Sequence, residues 1–112
     1  MSDMAYKNNS KGLEMADVKI QESDVDEVYA AAIKPKMHNF ESAVHRIEEQ
    51  HGQPYAIGAL VKAREKLLDD VPGMVTFDGR GHAIMKNTSS NDAYLKGNEW
   101  IEHELRKKNV LK

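Results

Sequence analysis

The chain contains no cysteine among its 112 residues. Disulfide scaffolds, thiol nucleophiles and thiolate zinc sites are therefore excluded. Aromatic residues are also scarce, with one Trp, four Tyr and two Phe, so a hydrophobic core must consist mainly of aliphatic and Met side chains. Because cysteine-free chains suit a reducing compartment, we expect a cytoplasmic protein.

Long apolar runs and a strong charge of one sign are absent as well. The longest apolar run, Tyr55 to Val61, is far shorter than the roughly 20 residues that cross a bilayer, and residues 1–20 hold no stretch typical of a signal peptide. We therefore expect no membrane insertion. The 16 basic and 18 acidic side chains give a net charge of -2, which disfavours non-specific binding to polyanions.

The composition itself, with 40% hydrophobic and 30% charged residues, is that of a folded protein of one domain. Acidic side chains predominate at the start, where residues 1–33 carry seven of them against three basic ones. Residues 1–22 show no sustained period, apart from a short alternation at Ala16–Ile20 that is typical of a strand. We predict a flexible acidic leader over residues 1–22 and a single domain over residues 23–112.

A helical period begins after Ser23, which we predict to be an N-cap because acidic residues follow it. Apolar residues recur at helical spacing as far as Gly52, a typical C-terminal stop. Pro35 interrupts this pattern, so the helix must either kink there or end near Ile33 and restart with Pro35 in its first turn. An unbroken helix would be about 42 Å long, too long for a small domain, and we expect two helices.

The second half of the chain predicts two more helices with a β-hairpin between them. The first helix runs from Pro54 to about Asp70, a type II turn follows at residues 71–74, and the last helix runs from about Asp92 to Asn109. Within the hairpin, a four-residue loop would pair Phe77 with His82 and Val75 with Ile84. The expected fold is α+β and mainly α, with three or four helices and one hairpin packed on them.

No motif for nucleotide binding or nucleophilic catalysis is present. One metal hypothesis rests on His45, Glu48 and His51, since Glu48 and His51 have the E-x-x-H spacing of carboxylate metal sites. The simpler interpretation is a solvated helix face that includes histidines. We therefore expect no cofactor and no enzymatic activity.

Basic residues offer a second functional hypothesis. The helix over residues 54–70 followed by the hairpin over residues 74–85 resembles, in element order alone, the winged-helix DNA-binding domains. Acidic residues on the same helix would oppose phosphate binding. The residues that would contact nucleic acid are Lys62, Arg64, Lys66, Arg80 and Lys86.

Tyr94 and Trp100 on the last helix are either core residues or anchors for a partner, a role that aromatic residues often have at interface centres. Taken together, the sequence favours a small non-catalytic protein-binding module, such as an accessory, inhibitory or assembly factor. We expect it to act through contacts with another protein and to form a homo-oligomer. A DNA-binding regulator of winged-helix type is the alternative.

Overall fold

The computed structural model describes residues 19–34 and 39–111, and within them it confirms a mainly helical α+β fold with one hairpin. The helices over Glu22–Ile33 and Gln53–Asp70 each contact the other three helices and together form the centre of the helical layer. None of the helices in these two ranges is long and apolar enough to span a bilayer. In chain order the elements are α1 (Glu22–Ile33), α2 (Phe40–His51), α3 (Gln53–Asp70), β1 (Thr76–Phe77), β2 (Ala83–Ile84) and α4 (Asp92–Lys107).

Most of the predicted leader lies outside the described residues, as do Pro35 and most of the predicted alternation at Ala16–Ile20. Of the leader's last residues, Ile20 packs against the core. The backbone N–H of Gln21 donates to the hydroxyl of Tyr55 at 3.1 Å, which connects the start of α1 to α3.

The expected division of the first helical region into two helices is confirmed, but both predicted helix starts are wrong. Ser23 lies inside the first turn of α1, where Gln21 is the N-cap and makes no side-chain capping bond. The second helix begins at Phe40 and not around Pro35. The reason is Asn39, which has an extended backbone conformation. Its side-chain oxygen accepts the N–H of Ser42 at 3.0 Å and so satisfies a free donor of the first turn.

Two glycines have the positive φ angles that suit their predicted roles, Gly52 as a helix stop and Gly73 in the turn after α3. Gly52 has a φ of 92°, which side chains rarely adopt, and its N–H donates to the carbonyl of Glu48 at 2.7 Å. Because α3 starts at the next residue, with Pro54 in its first turn, α2 and α3 meet at a sharp corner. Gly73, with a φ of 90°, has the conformation that the third position of a type II turn requires.

The core is a single aliphatic cluster between the helices, and α1 and α4 approach closely at Gly97. A Cβ atom at this position would lie 3.0 Å from side-chain carbons of Ile33 and Leu67 and 3.2 Å from the carbonyl oxygen of Ala32. The small residue is thus what allows the two helices to pack. The largest fully buried apolar side chains are Val25, Val28, Ile47, Leu60, Leu67, Ile101 and Leu105.

The predicted hairpin register is wrong by one residue on one strand. The structure pairs Thr76 with Ile84 and Phe77 with Ala83, so the loop has five residues. Asp78 explains the difference, because its carboxylate accepts the N–H groups of Arg80 (2.8 Å) and His82 (3.0 Å), and its own N–H donates to the His82 carbonyl. A shift of one residue moves every side chain of β2 to the opposite face.

Candidate functional site

The centre of the site is the carboxylate of Glu102, which is completely buried although it carries charge. Its Oε2 accepts hydrogen bonds from the Nη2 of Arg64 at 2.7 Å, the Nδ2 of Asn98 at 2.8 Å and the backbone N–H of Ala83 at 2.9 Å. Its Oε1 lies 2.5 Å from the Nδ1 of His82. We call these five residues the Glu102 cluster. It joins α3, α4 and the hairpin.

Arg64 strengthens the connection because it bridges the same three elements. Its Nη2 also donates to the carbonyl of Gly81 at 2.5 Å, and its Nε donates to the side-chain oxygen of Asn98 at 3.2 Å. A two-stranded hairpin is at best marginally stable alone in water. Here the guanidinium binds its loop and the carboxylate binds its second strand, so the helical layer fixes the hairpin's orientation.

The electrostatics of the cluster favour the ionised form of Glu102. Burial alone would raise the pKa of this carboxyl, but the hydrogen bonds from the Ala83 N–H, His82, Asn98 and Arg64 outweigh it and hold the pKa below its ordinary value of 4.5. Arg106 adds a cation 3.5 Å from Oε1. The site therefore contains a buried negative charge that is neutralised by neighbouring donors.

A carboxylate that orients an imidazole is also a component of general-base catalysis, provided that a nucleophile is within hydrogen-bond reach of the ring. In residues 19–34 and 39–111, no hydroxyl group is hydrogen-bonded to the His82 ring, whose side chain is 40% exposed. The geometry instead shows a structural role. The hydrogen bonds that Gly81, His82 and Ala83 make with Arg64 and Glu102 hold the hairpin against α3 and α4.

The hairpin presents apolar side chains to solvent. Met74 is 79% exposed, Phe77 56% and Ile84 48%. Ile84 pairs with Thr76, and Met74 precedes Thr76 by two residues. The side chains of Met74, Thr76 and Ile84 therefore share one face of the hairpin. We call the surface of Met74, Thr76 and Ile84 the outer face.

The opposite face of the hairpin packs against the core of the protein. Ala83 and Met85 are buried there, and Val75 is partly buried against the core. Phe77 lies at the border of this face, with the guanidinium carbon of Arg64 5.6 Å from its ring centroid. That spacing suits a cation–π contact, which adds to the fastening of the strand.

The predicted nucleic-acid residues do not act as one set of free cations. Arg64 belongs to the Glu102 cluster, and the Nζ of Lys66 lies 2.5 Å from Glu22 and 2.9 Å from Asp26 on α1. These two carboxylates raise the pKa of the Lys66 ammonium group. Lys62, Arg80 and Lys86 are exposed. Since α3 is packed by three helices, its two engaged cations face other parts of this chain.

The predicted metal residues also have separate partners. His45 pairs with Glu49 at 3.2 Å, and Glu48 pairs with Lys108 of α4 at 3.1 Å. The ring of His51 stacks on Tyr55 with the centroids 4.1 Å apart. Within the part of the chain that the structure describes, no three His, Cys, Asp or Glu side chains are grouped as metal ligands.

The two predicted partner-binding aromatics differ in exposure. Tyr94 is half-buried and packs against the core. Trp100 is 37% exposed, and its ring lies 5.7 Å from that of Phe40 in a tilted arrangement. It lines an open depression of about 260 Å³ together with Lys96, Glu99 and His103 of the same helix.

Glu102, His82 and Asn98 are not among the site residues that the sequence predicts. Glu102 also contacts Arg106 on the following turn, but its carboxylate is buried. One signal was available, because Asn98 and Glu102 are four residues apart and adjoin the buried positions Gly97 and Ile101. Polar residues in phase with an apolar stripe indicate a buried polar network.

Compared with known proteins, the chain matches no family model, no curated protein and no solved structure.

Proposed function

We propose that the protein is a small non-catalytic binding module that recognises another protein chain through the outer face of its hairpin. The observation that carries the proposal is the concentration of exposed apolar side chains on this one element, with Met74 and Ile84 on its outer face and Phe77 at its border. Exposed apolar surface of this kind marks interaction sites when it is contiguous and rimmed by polar groups.

The manner in which the hairpin is held supports the same function. A binding surface must keep its shape in the free state, since ordering it during association lowers affinity. The Glu102 cluster gives the hairpin this preorganisation, because Gly81, His82 and Ala83 are each hydrogen-bonded to α3 or α4. The polar rim is supplied by Asp78 at the loop and Lys86 after β2, both exposed.

Site-specific photocrosslinking tests the proposal. A photoreactive amino acid replaces Ile84 on the outer face or, as the control, the exposed Ser42 on α2, and each full-length chain is irradiated in lysate of its source cells. We expect one discrete crosslinked product from position 84, absent from position 42, and suppressed by excess unlabelled protein but not by an Ile84→Asp competitor. Equal, diffuse labelling at both positions, or equal competition by the variant, would show that the outer face is not a binding surface.

A further inference from the structure

The two edges of the hairpin differ in how their backbone groups are used. The bond from the Asp78 N–H to the His82 carbonyl makes Phe77 and Ala83 a non-hydrogen-bonded pair, whose N–H and C=O groups therefore point away from the partner strand. On the β2 edge, Glu102 accepts the Ala83 N–H. On the β1 edge, the corresponding groups of Val75 and Phe77 have no hydrogen-bond partner among the described residues.

The β1 edge is short, with two residues, and a short strand is one way in which natural sheets protect a free edge. The other protections are charged side chains, proline or a covering element, and among the described residues no element is hydrogen-bonded over this edge. The segment over residues 74–77 reads Met-Val-Thr-Phe and contains neither charge nor proline. Its Met74 and Phe77 side chains are more than half exposed. An open and neutral edge beside an apolar face is suited to the addition of another strand.

We propose that this occupant is a second copy of the chain, paired antiparallel through β1 about a twofold axis at Thr76. Val75 of one copy then lies opposite Phe77 of the other, so the outward N–H and C=O groups of both residues bond reciprocally. A β-branched residue opposite an aromatic one is a favourable cross-strand pair. The result is a four-stranded antiparallel sheet in which both outer faces are continuous.

Self-pairing is favoured over an unrelated peptide because the segment is complementary to itself. The two residues with free backbone groups, Val75 and Phe77, exchange places under the twofold operation, and no charged residue within 74–77 is brought against its own copy. This inference goes beyond the proposed function, since it concerns the β1 edge of the hairpin and not its outer face, and the experiments below separate the two.

Single cysteines provide the first test, because the native chain has none. Thr76 is exposed and would face its own copy as a non-hydrogen-bonded pair, with Cβ atoms about 4.5–5.5 Å apart, near the spacing of a disulfide. In the control, Met74→Cys, the two sulfur-bearing positions would be about 14 Å apart along the strands. We expect oxidation to convert Thr76→Cys, but not Met74→Cys, to covalent dimer. No dimer, or equal dimer from both variants, would overturn the proposed pairing.

Charge substitution at the same position is the second test. Analytical ultracentrifugation across a concentration series should show a dimer for the native chain, and Thr76→Lys or Thr76→Glu alone should weaken the dimer by on the order of tenfold or more, because like charges meet at the axis. An equimolar mixture of the two variants should form a heterodimer about as strong as the native dimer, because opposite charges then meet at the axis. Circular dichroism monitors folding of each variant. A native chain that is monomeric at every concentration refutes the pairing.

The photocrosslinking result at Ile84 distinguishes this failure from failure of the proposed function. A monomeric chain that still crosslinks at position 84 to a protein of different mass would refute the second copy as partner and retain the binding function. A chain that is monomeric and crosslinks nothing specifically at position 84 would refute both.

Discussion

Replacing Glu102 by Gln tests whether the buried carboxylate holds the hairpin on the helices. Gln keeps the size and one acceptor oxygen, so the main loss is the negative charge. Arg64, whose side chain is 15% exposed, then has no carboxylate partner in the cluster. Breaking a buried ion pair from one side costs roughly 3–5 kcal/mol. We expect about 3 kcal/mol, because Arg64 keeps the Gly81 carbonyl and the Asn98 oxygen as acceptors.

Urea unfolding followed by far-ultraviolet circular dichroism and by the fluorescence of Trp100, the single tryptophan, measures this loss. The control is Glu99→Gln on the same helix, where the side chain is exposed and a change within about 0.5 kcal/mol is expected. A loss below about 1 kcal/mol for Glu102→Gln, a typical value for one neutral hydrogen bond, would refute the reasoning that the charge organises the site.

A double-mutant cycle then assigns the energy to the pair. In Glu102→Gln/Arg64→Met the unpaired cation is gone, so the double variant should be less destabilised than the sum of the two single variants. Residues in one network usually couple by about 0.5–3 kcal/mol, and we expect a value above about 1 kcal/mol. Strict additivity would mean that Arg64 and Glu102 contribute independently.

The remaining predictions concern protonation, capping and packing. The pKa of Glu102 in the folded chain lies below 4.5. The ionised carboxylate therefore stabilises the fold above pH 4.5, and this stabilisation is lost as the pH falls through the folded pKa. Between about pH 5 and pH 3, the urea midpoint should fall more for the native chain than for Glu102→Gln. Asn39→Ala should cost about 1 kcal/mol through its lost capping bond, whereas Ser23→Ala, which removes no such bond, should leave the thermal midpoint nearly unchanged. Gly97→Ala should lower the free energy of unfolding in urea by about 1 kcal/mol, because the cost of overpacking, about 1–3 kcal/mol, exceeds the gain in helix propensity of about 1 kcal/mol. The control is Gly79→Ala, since Gly79 has open space around it. Equal urea midpoints for the two variants would contradict the packing argument.

The parts of the fold that depend on local interactions could be predicted from the sequence. Helical periods, the stop at Gly52 and the positive φ at Gly73 follow from the conformations that individual residues allow, and the structure has all of them. The cap at Asn39 is local too, but it was missed because Pro35 also suits a first turn. Capping therefore had two candidate positions, and the chain uses the one with a side-chain acceptor.

The hairpin register could not be predicted in this way, because a tertiary contact favours the observed register in addition to the local hydrogen bonds of Asp78. A four-residue loop paired every apolar residue of the isolated segment. The observed register instead buries Ala83, whose N–H reaches Glu102 across 19 positions of sequence. It leaves Ile84 on the outer face. The error in register is thus the reason that the sequence did not indicate the exposed surface on which the proposed function depends.

The energetics of the Glu102 cluster connect the fold to that function. Apolar side chains of similar volume often replace buried ion pairs with equal or greater stability, so stability alone does not explain a charged group at this position. Apolar contacts fix the orientation of a hairpin less well than hydrogen bonds do. Here the hydrogen bonds to Gly81, His82 and Ala83 hold the hairpin in one orientation. An oriented hairpin presents Met74 and Ile84 as a defined surface and keeps the open edge of β1 accessible. We therefore expect variants of the cluster to weaken self-association even where the helices remain folded.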